Sequence, residues 1–176
     1  MENETKNIDM LIKAVSNLID LGYDIELNIV GDGCLKEDLV KLTESLRIHR
    51  VVNFLGSFSN ADLKDIFIKN DVFILPSRFD GWGFVAVEAM AHGLPVIISD
   101  RCGSYSIIKD KSHGVVFESS SLDSLVSSLR LIIDDINFYS NRSSKMDKIS
   151  YVRNNLAANI GSVFLLSILE KLHDSK

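Results

Sequence analysis

The sequence predicts an α/β fold with a parallel, doubly wound sheet. Short runs rich in β-branched and aromatic residues alternate with longer segments whose apolar residues recur at helical spacing. Strands of about five residues separated by helices of ten or more are typical of parallel sheets joined by crossover helices. Glycine turns follow several of the short runs, and they would lie along the sheet edge where such folds bind ligands.

The amino-terminal half predicts three helices, each followed by a strand. Apolar residues on one face define each helix, and Gly22 ends the first. Ser59 can cap the third helix. The predicted helices cover 9–21, 35–46 and 61–68, and the strands that follow them cover 25–30, 51–55 and 72–75.

The carboxyl-terminal half begins with a glycine-rich turn at 80–83 that leads into an apolar helix over 84–91. Gly93 ends that helix, and Pro95 prevents it from resuming. A run of serines supplies a cap for a helix over 122–133. The remaining predicted elements are strands over 96–98 and 115–117 and helices over 136–146 and 152–172, so that 150–176 forms a carboxyl-terminal helix.

Composition limits the classes of function. The chain has 176 residues, 46% of them hydrophobic, which favours one domain over 1–176 and excludes a disordered segment. A formal net charge of -5 argues against a nucleic-acid partner. Cys34 and Cys102 have neither metal-site nor CxxC spacing, so we expect no metal centre. The acidic start and the lack of a long apolar run predict a cytoplasmic protein.

One carboxylate in the segment after the third predicted strand is a candidate for a contact with a ligand. Between Gly81 and Ile98 only Glu88 and His92 can ionise. Glu88 either lies on the exposed stripe of its helix, as charged residues usually do, or it faces a cleft and accepts hydrogen bonds from a ligand. A carboxylate suits a vicinal diol because each of its oxygens can accept one O–H. The helix alone leaves both readings open.

The turn before that helix favours an anion. Free backbone N–H groups and the positive end of the helix meet at Asp80-Gly81-Trp82-Gly83. An anion site beside a diol acceptor is what a nucleoside diphosphate requires.

These residues resemble the donor-site signature of retaining glycosyltransferases of family 4, which have the GT-B fold. The matching residues are Pro76-Ser77, Asp80-Gly81-Trp82-Gly83, Glu88, Ala89-Met90-Ala91, Gly93 and Pro95-Val96. The family usually has Glu where this chain has Asp80, whose side chain is one methylene shorter. Weaker matches at 4–14, 30–33, 51–58 and 114–117 extend the resemblance over nearly the whole chain, and Ser106 departs from a frequent Glu.

The resemblance implies a role for each candidate residue. Asp80 and Glu88 would act in catalysis by orienting the donor, Asp80 through the transferred sugar and Glu88 through the ribose hydroxyls. Lys6 would neutralise the diphosphate. The remaining donor-binding residues are Phe58 and Ser59 beside the base, Trp82 beside the sugar, and Gly83, Phe84 and Val85, whose amides would hold the diphosphate and sugar.

The resemblance also implies an enzyme that is incomplete within this chain. The family's Rossmann-like donor domain begins with a strand that this chain lacks, and the acceptor-binding domain precedes that strand. We therefore expect the donor half of a hexosyltransferase-like enzyme that needs no metal or other cofactor. The acceptor domain would be supplied in cis or in trans, with peripheral membrane association through it.

Polysaccharide or glycolipid synthesis is the process that the family favours. The alternative is an inactive fragment or a non-catalytic subunit that pairs with a separate acceptor-domain chain. A nucleotide-sugar epimerase of similar fold is disfavoured by the spacing from Asp80 to Glu88.

Overall fold

The structure, a computed structural model, describes residues 5–156, without the side chains of 60–62. The helices are α1 (Ile8–Asp20), α2 (Lys36–Ser45), α3 (Asn60–Lys69), α4 (Phe84–Ala91), α5 (Leu122–Asp134), α6 (Ile136–Ser140) and α7 (Arg142–Tyr151). The strands are β1 (Leu27–Val30), β2 (Val52–Gly56), β3 (Phe73–Leu75), β4 (Val96–Ser99) and β5 (Gly114–Phe117). Their alternation confirms the predicted α/β class.

Within residues 5–156 the strands form two parallel sheets. β1 pairs with β2, and β4 lies between β3 and β5. The side chains of β4 alternate between two apolar clusters, because successive residues of a strand point to opposite faces. Ile97 packs with α1 and α5 on one face, and Ile98 packs with α4 on the other. Every residue of β4 is buried, so this strand is the centre of the fold.

Among the described residues the two sheets are not hydrogen-bonded to each other. Leu27 N donates to Val51 O and Phe73 N to Pro95 O, so these residues of β1 and β3 face β2 and β4. Alternate residues of a parallel strand direct their backbone groups to opposite sides, which turns those of Asn28 and Ile74 away from β2 and β4. No strand among the described residues pairs with either of these edges. These two unpaired edges belong to β1 and β3, the strands between which the sequence analysis expects the first strand of the family's domain.

Helix α1 fixes the relative direction of β1 and β3. It begins beside the carboxyl end of β3, where Asn7 Nδ2 donates to Pro76 O over 3.2 Å, and it ends shortly before β1 starts. Both strands therefore point their carboxyl ends to the same edge of the molecule. The buried residues of α1 face one apolar cluster, which is completed by Leu27, Ile97 and α5.

The carboxyl-terminal helices differ from the prediction. The helix predicted over 136–146 is broken at Asn141, which is extended and accepts a hydrogen bond from Ser144 N over 2.9 Å, so that it caps α7. An Asn side chain competes for backbone groups in this way at helix starts. Residues Val152–Leu156 form one π-helical segment, and the rest of the helix predicted over 152–172 lies outside the described residues.

A buried lysine attaches α7 to the fold. Lys148 is fully buried, and its Nζ donates to Ser112 O over 3.0 Å and to Tyr139 O over 3.2 Å. Burial lowers the pKa of Lys148 from its ordinary 10.5 to about 8. Helix α7 also packs against α4 and against Gly93, which follows α4. By holding α7 in place, Lys148 therefore supports the helix that carries Glu88.

We expect the free energy of unfolding to depend on the titration of Lys148. The unfolded chain keeps the proton of Lys148 to a higher pH than the folded chain does. The contribution of Lys148 to the free energy of unfolding therefore rises by about 3 kcal/mol between pH 8 and 10.5. Burial raises the pKa of Cys102 to about 11, which acts in the opposite direction, so the wild type has to be compared with Lys148→Met. Denaturant unfolding at several pH values measures that difference.

The control is Lys69→Met, because Lys69 is exposed on α3 and is not among the charges that act on Lys148. It should leave the pH profile of the wild type unchanged. Parallel profiles for the wild type and Lys148→Met would contradict the prediction.

Candidate functional site

The loops after β3 and β4 are joined at the carboxyl edge of the three-stranded sheet. Asp80 N donates to Arg101 O over 3.3 Å, and Gly103 N donates to Asp80 O over 3.0 Å. A Cβ atom on Gly103 would lie 2.2 Å from Gly81 O, so only glycine allows this approach. The second loop thereby fixes the turn that precedes α4.

Gly83 gives the start of α4 the geometry of an anion site. Its φ is 77° and ψ is 50°, a left-handed conformation, and the residues after it are helical. This succession turns neighbouring N–H groups towards one point and forms a concave nest for an anion. In the part of the chain that the structure describes, the amides of Gly83, Phe84 and Val85 donate no backbone hydrogen bond. They lie at the positive end of the helix, where Phe84 is exposed, Val85 is half-buried and Gly83 is buried, and they can turn to a ligand that approaches this end.

Lys6 and Asp80 are brought into contact across 74 positions of sequence. Lys6 Nζ lies 2.7 Å from Asp80 Oδ2, and the other carboxylate oxygen accepts a hydrogen bond from Trp82 N over 3.2 Å. The Asp80 side chain is 17% exposed and that of Lys6 is 50% exposed. One cation and one carboxylate thus lie together beside the start of α4.

The start of α1 holds Lys6 in place. Asn7 is 1% exposed and left-handed, with a φ of 56°. Besides its bond to Pro76 O, it accepts a hydrogen bond from Arg78 Nε over 3.0 Å. Arg78 N also donates to Thr5 O over 2.7 Å. The sequence analysis did not assign a role to Asn7 or Arg78. The available signal was an Asn directly before a predicted helix, because Asn tolerates the left-handed conformation.

Glu88 lies one turn along α4 from Phe84, on the same face of the helix. It is half-buried, and burial raises the pKa of its carboxyl group above the ordinary value. Among the described residues no side chain donates a hydrogen bond to this carboxylate. One turn further, His92 packs against Phe67 of α3 with ring centroids 5.2 Å apart, so α4 runs beside α3.

The other predicted residues occupy the surroundings. Trp82 is partly buried against the core, with its ring 6.3 Å from that of Phe84. Its buried Nε1 has no hydrogen-bond partner among the described residues. Phe58 and Ser59 are exposed at the carboxyl end of β2, directly before α3. They therefore belong to the edge of the other sheet, next to the helix that flanks Glu88.

Cys102 has a structural place in the site. It is buried, and burial raises the pKa of its thiol to about 11, with a smaller contribution from the Asp80 carboxylate. The thiol therefore stays protonated near neutral pH, which excludes a thiolate nucleophile.

Taken together, the site contains a nest of free amides, a cation beside it, and two carboxylates, of which Asp80 contacts the cation and Glu88 lies one turn along α4. Amides and cation suit a phosphate group, and the carboxylates suit hydroxyl groups. Within residues 5–156 no group of three or more His, Cys, Asp or Glu side chains is placed to bind a metal ion.

Residues 2–151 match the protein-family model described as glycosyl transferases group 1, and the chain therefore belongs to that family. The chain is 32% identical over 133 residues to an uncharacterized glycosyltransferase of Methanocaldococcus jannaschii. That alignment covers 76% of this chain and 34% of the relative. A sulfoquinovosyl transferase of Arabidopsis thaliana is 28% identical over 73% of this chain and 25% of its own length.

Solved structures confirm the Rossmann-like, GT-B type of fold. WaaG, a glycosyltransferase involved in lipopolysaccharide biosynthesis, superposes with a TM-score of 0.76 and 24% identity, over 97% of this chain and 43% of its own. Anabaena HepE in complex with UDP superposes with a TM-score of 0.74 and 18% identity, over 97% and 45%. This chain thus spans less than half of these proteins. No helix in the described residues has both the length and the apolar character to cross a bilayer.

Gly83→Ala tests the left-handed turn. An alanine there is strained by its φ, and its Cβ would lie 2.7 Å from Leu75 Cδ2, so we expect a loss of about 1–3 kcal/mol in the free energy of unfolding. Gly81→Ala is the matched control, because its Cβ would meet nothing within 4 Å, and it should change that free energy by less than about 0.5 kcal/mol. Equal stabilities of the two variants in denaturant unfolding would contradict this account of the turn.

Proposed function

We propose that this chain is the donor-binding half of a retaining, metal-independent glycosyltransferase of family 4, which binds a nucleotide-diphosphate sugar and supports its transfer to an acceptor hydroxyl. The observation that carries the proposal is the position of Lys6 and Asp80, in mutual contact beside the free amides that open α4. Membership of the group 1 glycosyltransferase family supports it independently.

The diphosphate would lie at the start of α4. Departure of a nucleoside diphosphate builds negative charge, which preorganised N–H groups, a helix end and a cation stabilise without a metal ion. The amides of Gly83, Phe84 and Val85 are available for this role, and Lys6 supplies the cation. Binding would exchange the contact of Lys6 with Asp80 for one with phosphate oxygens.

The two carboxylates would then orient the donor. Once Lys6 turns to the phosphates, Asp80 can accept hydrogen bonds from hydroxyls of the transferred sugar, next to Trp82. Glu88 would accept the ribose hydroxyls, and Phe58 and Ser59 at the start of α3 would lie along the base. Neither carboxylate attacks the sugar; they hold its anomeric carbon in position.

In the retaining reaction the acceptor hydroxyl attacks from the face that the diphosphate leaves. The bond from the anomeric carbon to the diphosphate oxygen breaks, the bond to the acceptor oxygen forms, and the leaving diphosphate takes the proton. The residues of this chain bind, orient and stabilise charge throughout.

The acceptor would be bound by a further domain, supplied in cis or in trans. This chain spans 34% of its relative from Methanocaldococcus jannaschii, and within residues 5–156 no strand pairs with the second edge of β1 or of β3. That domain would determine the acceptor and any peripheral membrane association. We place the activity in the cytoplasm, in polysaccharide or glycolipid synthesis. The alternative remains a subunit that binds the donor without catalysing transfer.

Isothermal titration of the chain with UDP and with GDP tests donor binding. We expect heat of binding for at least one of them, unchanged by EDTA because no metal is required. No heat at millimolar ligand, for a chain shown to be folded by circular dichroism, would overturn the proposal. Transfer of the sugar only after an acceptor-domain chain is added would separate an enzyme half from a non-catalytic subunit.

Glu88→Gln tests the diol contact. The amide keeps one acceptor but loses the charge, so we expect the affinity for the bound nucleoside diphosphate to fall by about 10-fold or more. Because burial raises the pKa of Glu88, the ratio of wild-type to Glu88→Gln affinity should fall on acidification already above the ordinary carboxyl pKa, since titration of the ligand's phosphate affects both proteins alike. Glu44→Gln, an exposed replacement on α2, is the control and should behave as wild type.

A further inference from the structure

The side chain of Arg78 lies at the same edge as the proposed donor site and was not among the predicted site residues. Its backbone N donates to Thr5 O, and its Nε donates to Asn7 Oδ1. Lys6 stands between these two anchoring residues and contacts Asp80. The two cations, Lys6 and Arg78, are therefore neighbours at the carboxyl edge although they are far apart in sequence.

Asn7 determines how the guanidinium group is oriented. Its buried amide is committed at both ends, because Nδ2 donates to Pro76 O and Oδ1 accepts from Arg78 Nε. With Nε occupied, the terminal nitrogens of the Arg78 guanidinium are the part left for a ligand. Arg78 is exposed, so those nitrogens are accessible from solvent.

The local charges are not balanced. Asp80 neutralises Lys6 at 2.7 Å, and Asp100 lies 4.0 Å from Arg101, but no carboxylate among the described residues pairs with Arg78. Arg78 is also hydrogen-bonded to Asn7, which directly precedes α1, at the end where the helix dipole is positive and disfavours a cation. An arginine held at a positive helix end without a counter-ion is the arrangement that an incoming anion would relieve. A planar guanidinium matches two oxygens of a phosphate group.

We propose that Arg78, oriented by Asn7, is a second cation for the diphosphate of the donor and acts together with Lys6. The inference rests on the proposed donor site and adds a residue to it. Arg78 contacts the phosphates, and Asn7 is a positioning residue. Two positive side chains and the free amides of α4 then face a group that carries more than one negative charge.

The test is the affinity of the full chain for UDP and for uridine, measured by titration for the wild type, Arg78→Ala and Arg78→Lys. Arg78→Ala should bind UDP about 10- to 100-fold more weakly and uridine as wild type does, because uridine has no phosphate. Arg78→Lys keeps the charge but loses the two-point contact and the bond to Asn7, so its affinity for UDP should be intermediate. Thermal unfolding confirms that each variant is folded.

Two further variants make the experiment specific. Arg50→Ala changes the net charge equally at the opposite end of the strands, beside Val51, and should bind UDP as wild type does. Asn7→Gly keeps the left-handed conformation but releases Arg78, and it should lose part of the affinity for UDP and none for uridine. It provides the test if Arg78→Ala does not fold.

The outcomes separate the two proposals. Wild-type protein that does not bind UDP or GDP overturns the proposed function and this inference with it. If the wild type binds UDP and Arg78→Ala binds it within twofold, the inference about Arg78 alone is wrong. Equal losses for UDP and uridine would also overturn it, because Arg78 would then act through the fold rather than on phosphate.

Discussion

The carboxyl edge of this domain depends on the backbone contact between Asp80 and the loop after β4. The pair of hydrogen bonds that Asp80 makes with Arg101 and Gly103 fixes a turn that would otherwise be free to move. From that turn follow the left-handed Gly83, the free amides of α4 and the direction of the Asp80 side chain. Gly103 is required because its Cβ position is occupied by the carbonyl of Gly81. The geometry of the site is thus set by main chain, and side chains complete it.

The opposite charges at this edge of the sheet balance each other within the protein. Lys6 and Asp80 neutralise each other, which lowers the cost of keeping both in a partly enclosed place. A donor that offers phosphate to the lysine and hydroxyls to the carboxylate replaces one contact with two. Glu88 is different, since burial already disfavours its charge and it has no partner among the described residues. Its hydrogen-bonding capacity is therefore not used by the described part of the fold, as the proposed contact with the ribose hydroxyls requires.

Local pattern predicts the elements of this fold well and their connections poorly. The helix over 84–91 agrees with the structure to the residue, because an apolar run between two glycines has defined ends. The helix predicted over 136–146 was wrong, since apolar spacing continues across Asn141 while its side chain caps a new helix. The contact of Lys6 with Asp80 and the burial of Lys148 depend on chain segments that meet only in the folded state. A lysine read alone is expected in solvent, so no local rule identifies either one.

The second edges of β1 and β3, with which no described strand pairs, have a consequence for the behaviour of the chain in solution. Rows of vacant amide and carbonyl groups along an extended segment are templates onto which any other extended segment can add. Neither β1 nor β3 contains a proline or a lysine, the residues that shield many natural outer strands, and the one irregularity in register lies in β1, between Ile29 and Val30. At rising concentration, copies of this chain would therefore tend to pair through these strand edges. Turbidity would then result from the unpaired edges rather than from a weak core.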